Sequence, residues 1–158
     1  MGIHAAELTI GRTFGVAFGH GDDFFAELSE FCADKGIRYG YIPLFLGAFR
    51  QATIVGTCQE HDADIPMFSH VDVEAVETLG GGTLAYDGEL RKVLPHVHLS
   101  VGKRLDGSVA YTSHLIEAQV QFTTEMVIVE VISPEWSRLA VPALFDLNLL
   151  RFGSAEPP

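Results

Sequence analysis

Basic residues are scarce in this chain: ten lysines and arginines stand against 21 aspartates and glutamates, giving a formal charge of −11. There is no Lys/Arg run, and Lys103-Arg104 is only a dipeptide on a turn. Affinity for nucleic acid comes mainly from neutralising phosphates, so an acidic chain with no basic stripe is poorly equipped for direct DNA or RNA binding. Cysteine is also sparse. Cys32 and Cys58 show neither Cys-x-x-Cys nor zinc-finger spacing, which suits a reduced, intracellular protein and leaves open whether the two pair. No apolar run approaches the length that spans a bilayer, and Met1 to Glu7 lacks the basic and apolar regions of a secretory leader, so no membrane association is expected and the expected location is cytoplasmic. A nucleotide-binding fingerprint and a nucleophile motif are missing too. Gly80-Gly81-Gly82 has no following lysine and opens no helix, so it is read as a turn or bulge.

Apolar residues, by contrast, make up 47% of the 158 residues, a globular balance. One domain is expected over 1–153, with a core at about 9–132, an apolar C-terminal extension at 133–153 and a disordered tail at 154–158. Thr9 to Phe18 alternates Phe14, Val16 and Phe18 with small residues and reads as a strand. A helix over about 22–35 follows. Asp22 and Asp23 supply its N-cap and first turn, Phe24, Phe25, Leu28, Phe31 and Cys32 form one apolar stripe, and Lys35 and Gly36 end it. Ile37 to Gly47 and Phe49 to Gly56 then give a βαβ-like opening, with Pro43 marking a strand end or edge. Thr57 to Met67 is polar and reads as an exposed loop that could close over a site. Val71 to Leu79 alternates strictly, placing Val71, Val73, Ala75 and Leu79 on one face. Glu125 to Ile132 is apolar on both faces, as a central strand would be. The tail after Pro134 carries Trp136, Leu139, Phe145, Leu147, Leu149, Leu150 and Phe152, too apolar to be free, and should dock on the body or a neighbouring subunit.

The chemistry concentrates in Leu94-Pro95-His96-Val97-His98-Leu99-Ser100-Val101 and the following Ser108 to Ile116, which carries His114. On a strand His96, His98 and Ser100 share one face while Val97, Leu99 and Val101 share the other. Two histidines at i and i+2 are about 7 Å apart at their Cα atoms, close enough for both imidazoles to converge on one ion. Asp106-Gly107 marks a hairpin that returns His114 towards them. A tight two-residue turn would set His114 opposite Leu99 on the packed face. A longer loop or a one-residue bulge would set it across from His96 and diagonal to His98, and this bulged register is the one adopted. Three neutral imidazoles with an open fourth position are the ligand set of a catalytic zinc. Ordinary surface histidines would give the same spacing, and His20 and His61, near turns, are read as solvated. Glu125 and Glu117 lie near apolar segments and could serve as a fourth ligand, an orienting partner or a general base.

Arg12-Thr13, the helix after Gly21, Gly47-Ala48-Phe49-Arg50-Gln51-Ala52-Thr53, Pro95-His96-Val97-His98, Asp106-Gly107, Ser113-His114-Leu115 and Thr124-Glu125 occur in an order that resembles the plants-and-prokaryotes conserved (PPC) domain, over roughly residues 9–132. The resemblance implies an α/β (α+β) fold, a mostly antiparallel mixed sheet with one main helix packed on it, assembled as a homotrimer. It also implies a metal, since prokaryotic members are metal-containing and the family's histidines map onto His96, His98 and His114. This chain departs from the pattern in having Thr112-Ser113 where a double glycine is usual, and it has no Arg-Gly-Arg-Pro AT-hook. Two functional readings follow. In the first, a divalent transition metal, zinc on this donor set, is held by the three histidines and serves an enzyme or small-molecule binder, assisted by Glu125, Glu117 or Tyr111. In the second, the protein is a regulatory module, DNA-associated through a partner, with the metal structural or absent.

Overall fold

The single long helix is fixed at both ends by the residues that cap it. In the computed structural model, which describes residues 4–58, 68–103, 109–144 and 146–153, α1 runs Phe24–Lys35. The Asp23 carboxylate accepts hydrogen bonds from the backbone N–H groups of Phe25 (3.0 Å) and Ala26 (2.9 Å), satisfying two donors that have no partner inside the helix. At the other end Gly36 adopts φ 65°, and the N–H groups of Gly36 and Ile37 donate to the carbonyls of Ala33 and Cys32. The expected stripe is the buried one: Phe24, Leu28 and Cys32 are fully enclosed, with Phe25 and Phe31 packed against the same core. Burial pushes the free Cys32 thiol up to about 11.

The strands are β1 (Thr9–Phe18), β2 (Gly40–Cys58), β3 (Phe68–Asp87), β4 (Lys92–Lys103), β5 (Ala110–Ser133), β6 (Trp136–Val141) and β7 (Leu147–Phe152). The first five form one sheet in the order β1-β5-β2-β3-β4, and β4 also pairs with β5. That extra pairing closes β5, β2, β3 and β4 into a barrel-like ring, while β1 continues the sheet from the far half of β5. Every pairing between named strands is antiparallel, so the sheet is not mixed and the α/β label fits only loosely. The expected βαβ opening is split: β1 and β2 run the same way, but β5 lies between them. β5 therefore has neighbours on both sides, and within Glu125 to Ile132 it buries Met126, Ile128, Val129 and Val131 while Val127 and Ile132 stay exposed. Helix α1 packs on β4 and β5. Phe24 joins it to the barrel, with ring centroids 5.2–5.4 Å from those of Phe18, Phe45 and Phe49.

Several local expectations are corrected. Ile37 to Gly47 and Phe49 to Gly56 are not two strands: Gly40–Cys58 is continuous, with β3 on one side and β5 on the other. Pro43 sits inside it rather than at an end or edge. Both ladders slip there, between Ile42 and Phe45 and between Tyr41 and Leu44, so the missing N–H falls at a bulge. The alternation of Val71 to Leu79 also breaks. Ala75 takes φ 50°, which turns the chain so that Val73, Val76 and Thr78 are buried while Val71 and Leu79 are exposed. Gly80-Gly81-Gly82 is not a turn but the middle of β3. A Cβ on Gly82 would lie 2.4 Å from the carbonyl oxygen of His96 and one on Gly80 2.6 Å from that of His98, so these positions let β3 approach β4 closely.

The C-terminal extension docks on the body, as its apolar content suggested. β6 and β7 form a separate two-stranded sheet, and Trp136 is buried with Tyr39, Ala85 and Val131. Most of the polar 57–67 loop, with His61, lies outside the described residues, as do the Asp106-Gly107 turn and the tail at 154–158.

Candidate metal centre

β3, β4 and β5 lie side by side, and their registers assemble the centre row by row. His98 pairs with Gly81 on one side and with His114 on the other; His96 pairs with Thr83; Ser100 pairs with Leu79 and Thr112. Paired residues project to the same face, so all three histidines stand on the outer face of the barrel. Val97, Leu99 and Val101 point inward to the core. The hydroxyls of Ser100 and Thr112 share a 2.6 Å hydrogen bond on the next row. His114 faces His98, not His96 as expected. The register is two residues away from the expected one, and because side chains alternate with a period of two, His114 keeps the histidine face.

The three ligand nitrogens all lie within 4.8 Å of one another, and the ring centroids are 5.0 Å (His96–His98), 4.7 Å (His96–His114) and 5.2 Å (His98–His114) apart. Tetrahedral nitrogen ligands at about 2.0–2.1 Å from zinc are roughly 3.3 Å from each other, so small side-chain rotations bring this set onto one ion. The electrostatics agree. Burial, followed by the positive charge of Arg138 and the two neighbouring imidazoles, lowers His96 to about 4. Burial, then His98 and Arg138, lowers His114 as well. Both are thus held in the neutral form that ligates metals. His114 Nδ1 is buried with no hydrogen-bond partner, a state that an ion or other ligand would relieve.

The carboxylates expected to assist are elsewhere. No Asp or Glu belongs to the histidine group among the described residues. Tyr111 pairs with Val101 and so projects to the opposite face from His114. Glu117 is drawn to β2, where the Thr53 hydroxyl lies 2.7 Å from Asp72 Oδ1 and 3.1 Å from Glu117 Oε1. It lines a separate cleft of about 420 Å³ with Asp23, Asp72 and Glu74. Glu125 lies eleven residues further along β5, roughly 35 Å of strand, paired with Ala17 and Leu46.

Sequence reasoning missed three neighbours of the histidines. Gly81 leaves the position beside His98 bare, and the signal for it was a glycine run inside an otherwise strand-like segment. Thr83, beside His96, accepts a hydrogen bond from Nη2 of Arg138 on β6. Arg138 shares the apolar extension with Glu135, Asp146 and Arg151, and nothing in the sequence pattern singles it out. The β4–β5 ladder stops at the His98–His114 pair. Beyond it, a cavity of about 270 Å³ opens beside His114, walled by Phe25, Val93, Leu94, Pro95, Leu115 and Ile116, with Ser29 and Lys92 as its other polar groups.

The fold and this site can be set against known proteins. A metal-containing protein from Archaeoglobus fulgidus superposes with a TM-score of 0.78 at 24% identity, covering 93% of this chain and 98% of that one. A plant- and prokaryote-conserved protein from Pyrococcus horikoshii gives 0.76 at 18% identity over 98% and 100% of the two chains. A protein from Bacteroides thetaiotaomicron, proposed to bind DNA, gives 0.72 at 24% identity over 92% and 97%. At these identities the likeness is one of fold. No curated protein matches the chain. The family model of the Plants and Prokaryotes Conserved (PCC) domain matches residues 5–132, all three histidines included, and the chain belongs to that family.

Proposed function

We propose that this chain is a single PPC-like domain over 1–153 that binds a divalent transition metal through His96, His98 and His114, and that the centre binds or transforms a small molecule. The observation that carries this reading is the convergence of three imidazole nitrogens within 4.8 Å, two of the rings held neutral by burial. Three neutral nitrogen donors with no thiolate or carboxylate favour zinc and leave a coordination position for a ligand. When bound, the ion would act as a Lewis acid or lower the pKa of a water. The chain itself supplies rigidity, since β4 and β5 hold the histidines on paired strands. It also supplies an apolar wall in the cavity beside His114. Glu125, Glu117 and Tyr111 have no part in this reading, because each is directed away from the histidines.

The reading includes assembly as a homotrimer, as the family resemblance implies. It is supported by apolar side chains on the outer face of β2 and β5, where Leu44, Leu46 and Val127 are 37–45% exposed. The charge of −11 and the want of any basic stripe favour a small-molecule ligand over direct contact with DNA. Among the described residues no helix is long and apolar enough to cross a membrane, and the reading places the protein in the cytoplasm.

Elemental analysis of purified protein beside a His98→Ala variant tests the metal. The expected result is close to one transition-metal ion per chain, lost in the variant while the fold remains. Two metal-free, folded samples would refute the reading and favour an interaction module acting through a partner.

A further inference from the structure

Arg138 comes from the C-terminal extension, beyond residues 5–132 that the family model matches. Its Nη2 donates to Thr83, the residue paired with His96, and its charge acts on both His96 and His114. Nothing negative answers it. Arg12 and Lys35 each meet a carboxylate, but Arg138 has no ion-pair partner among the described residues. No acidic side chain contributes to the field on His96 or His114. The Arg138 guanidinium is half-buried, its Nε is buried with no hydrogen-bond partner, and desolvation is what lowers its pKa. On the same strand Ser137 Oγ and Trp136 Nε1 are also buried without partners, as is His114 Nδ1 across the site. A guanidinium partly withdrawn from water is costly without an opposite charge, so an anion would stabilise it. A divalent ion beside it raises the local charge to three positive units, with no carboxylate in the histidine group among the described residues.

We propose that Arg138 is the anion anchor of the three-histidine centre and selects small carboxylates as its ligands, the planar fork gripping a carboxylate that also reaches the metal. This deepens the metal reading and rests on it. A guanidinium presents donors in a fixed plane that matches a carboxylate in two-point contact, which a point charge does not. The extension, docked by burial of Trp136 against Tyr39, Ala85 and Val131, thereby brings one cation beside the three histidines. The ligand class is therefore set by a residue outside the family core.

The test uses full-length protein loaded with cobalt(II), whose visible spectrum reports ligands at the metal without any assumption about activity. Acetate is titrated into wild type, Arg138→Gln and Arg138→Lys, with thiocyanate as an anion that binds metal but cannot fill the fork. Acetate should shift the wild-type spectrum and bind at least about tenfold more weakly to Arg138→Gln, the loss expected for one charge-assisted contact. Arg138→Lys should fall between the two, and thiocyanate binding should change by less than about threefold, since it never used the fork. The lysine variant keeps the positive charge and so remains informative if the glutamine variant folds poorly. Equal acetate affinity in wild type and variant overturns the anchor while the metal reading stands. A wild-type protein that takes up no cobalt overturns the metal reading and the anchor together. If loaded wild type ignores acetate and Arg138→Gln dissociates on size exclusion, the balancing carboxylate comes from a second copy of the chain, and the anchor is overturned.

Discussion

The half-buried imidazole of His96 should make the metal-free protein lose stability on mild acidification, by an amount that can be bounded. Its pKa is lowered to about 4, first by burial and then by Arg138, His114 and His98, whereas in the unfolded chain it returns to about 6.5. Between these values the unfolded chain takes up a proton that the folded chain refuses, so protonation draws the equilibrium towards unfolding. The stabilisation is complete above about pH 6.5 and is lost as the pH falls towards 4. Between pH 7 and pH 5 the two titration curves give a loss of up to about 2 kcal/mol from His96, reduced by solvent screening of the half-buried ring. His114, lowered by burial, His98 and Arg138, adds a loss of the same sign. The assay is urea denaturation of chelator-treated protein at pH 7 and pH 5, at one protein concentration, beside a His96→Gln variant that cannot titrate. Wild type should lose more than the variant over this interval, by up to about 2 kcal/mol. Equal losses in the two proteins would show that His96 is not withheld from protons, and the electrostatic account of the centre would fail.

Gly82→Ala should cost about 1–3 kcal/mol in the same denaturation assay, because its Cβ would lie 2.4 Å from the His96 carbonyl oxygen and the two strands must part to admit it. Metal content should fall with it, since the strand displaced carries two of the three histidines. Gly15→Ala, with nothing within 4 Å of the added carbon, should stay within about 0.5 kcal/mol of wild type. Asp23→Ala removes the carboxylate that accepts from Phe25 and Ala26 and should cost about 1 kcal/mol, read as a lower denaturation midpoint with metal content unchanged.

What could be read in the sequence was whatever local chemistry alone decides. β1 and α1 stand where alternation and capping residues put them, because Asp23 and Gly36 act on their own helix ends whatever else the chain does. Pro43 and Leu79 misled for the opposite reason. Whether a proline ends a strand or occupies a bulge depends on which strands lie beside it, and the alternation through Leu79 was interrupted by a positive φ at Ala75 that no pattern of side-chain types announces. The carboxylates failed in the same way: the apolar surroundings of Glu117 and Glu125 in sequence said nothing of which element they would face, and Glu117 turned to Thr53 on β2.

The three histidines come together because convergence on one face of a sheet demands less than a register. Side chains alternate with a period of two, so any slip by two residues leaves His114 on the face of His96 and His98 and merely exchanges its directly opposite partner. His96 and His98 lie on adjacent rows of that face, and an ion reached from both accepts a third imidazole from either row. Only a slip by one would have destroyed the site. The local charge was not legible by the same reasoning. A chain of net charge −11 gives no hint of a centre where an arginine from the C-terminal hairpin bonds Thr83 beside His96 and no carboxylate joins the histidine group among the described residues. That imbalance is what makes an incoming anion the natural complement of the site.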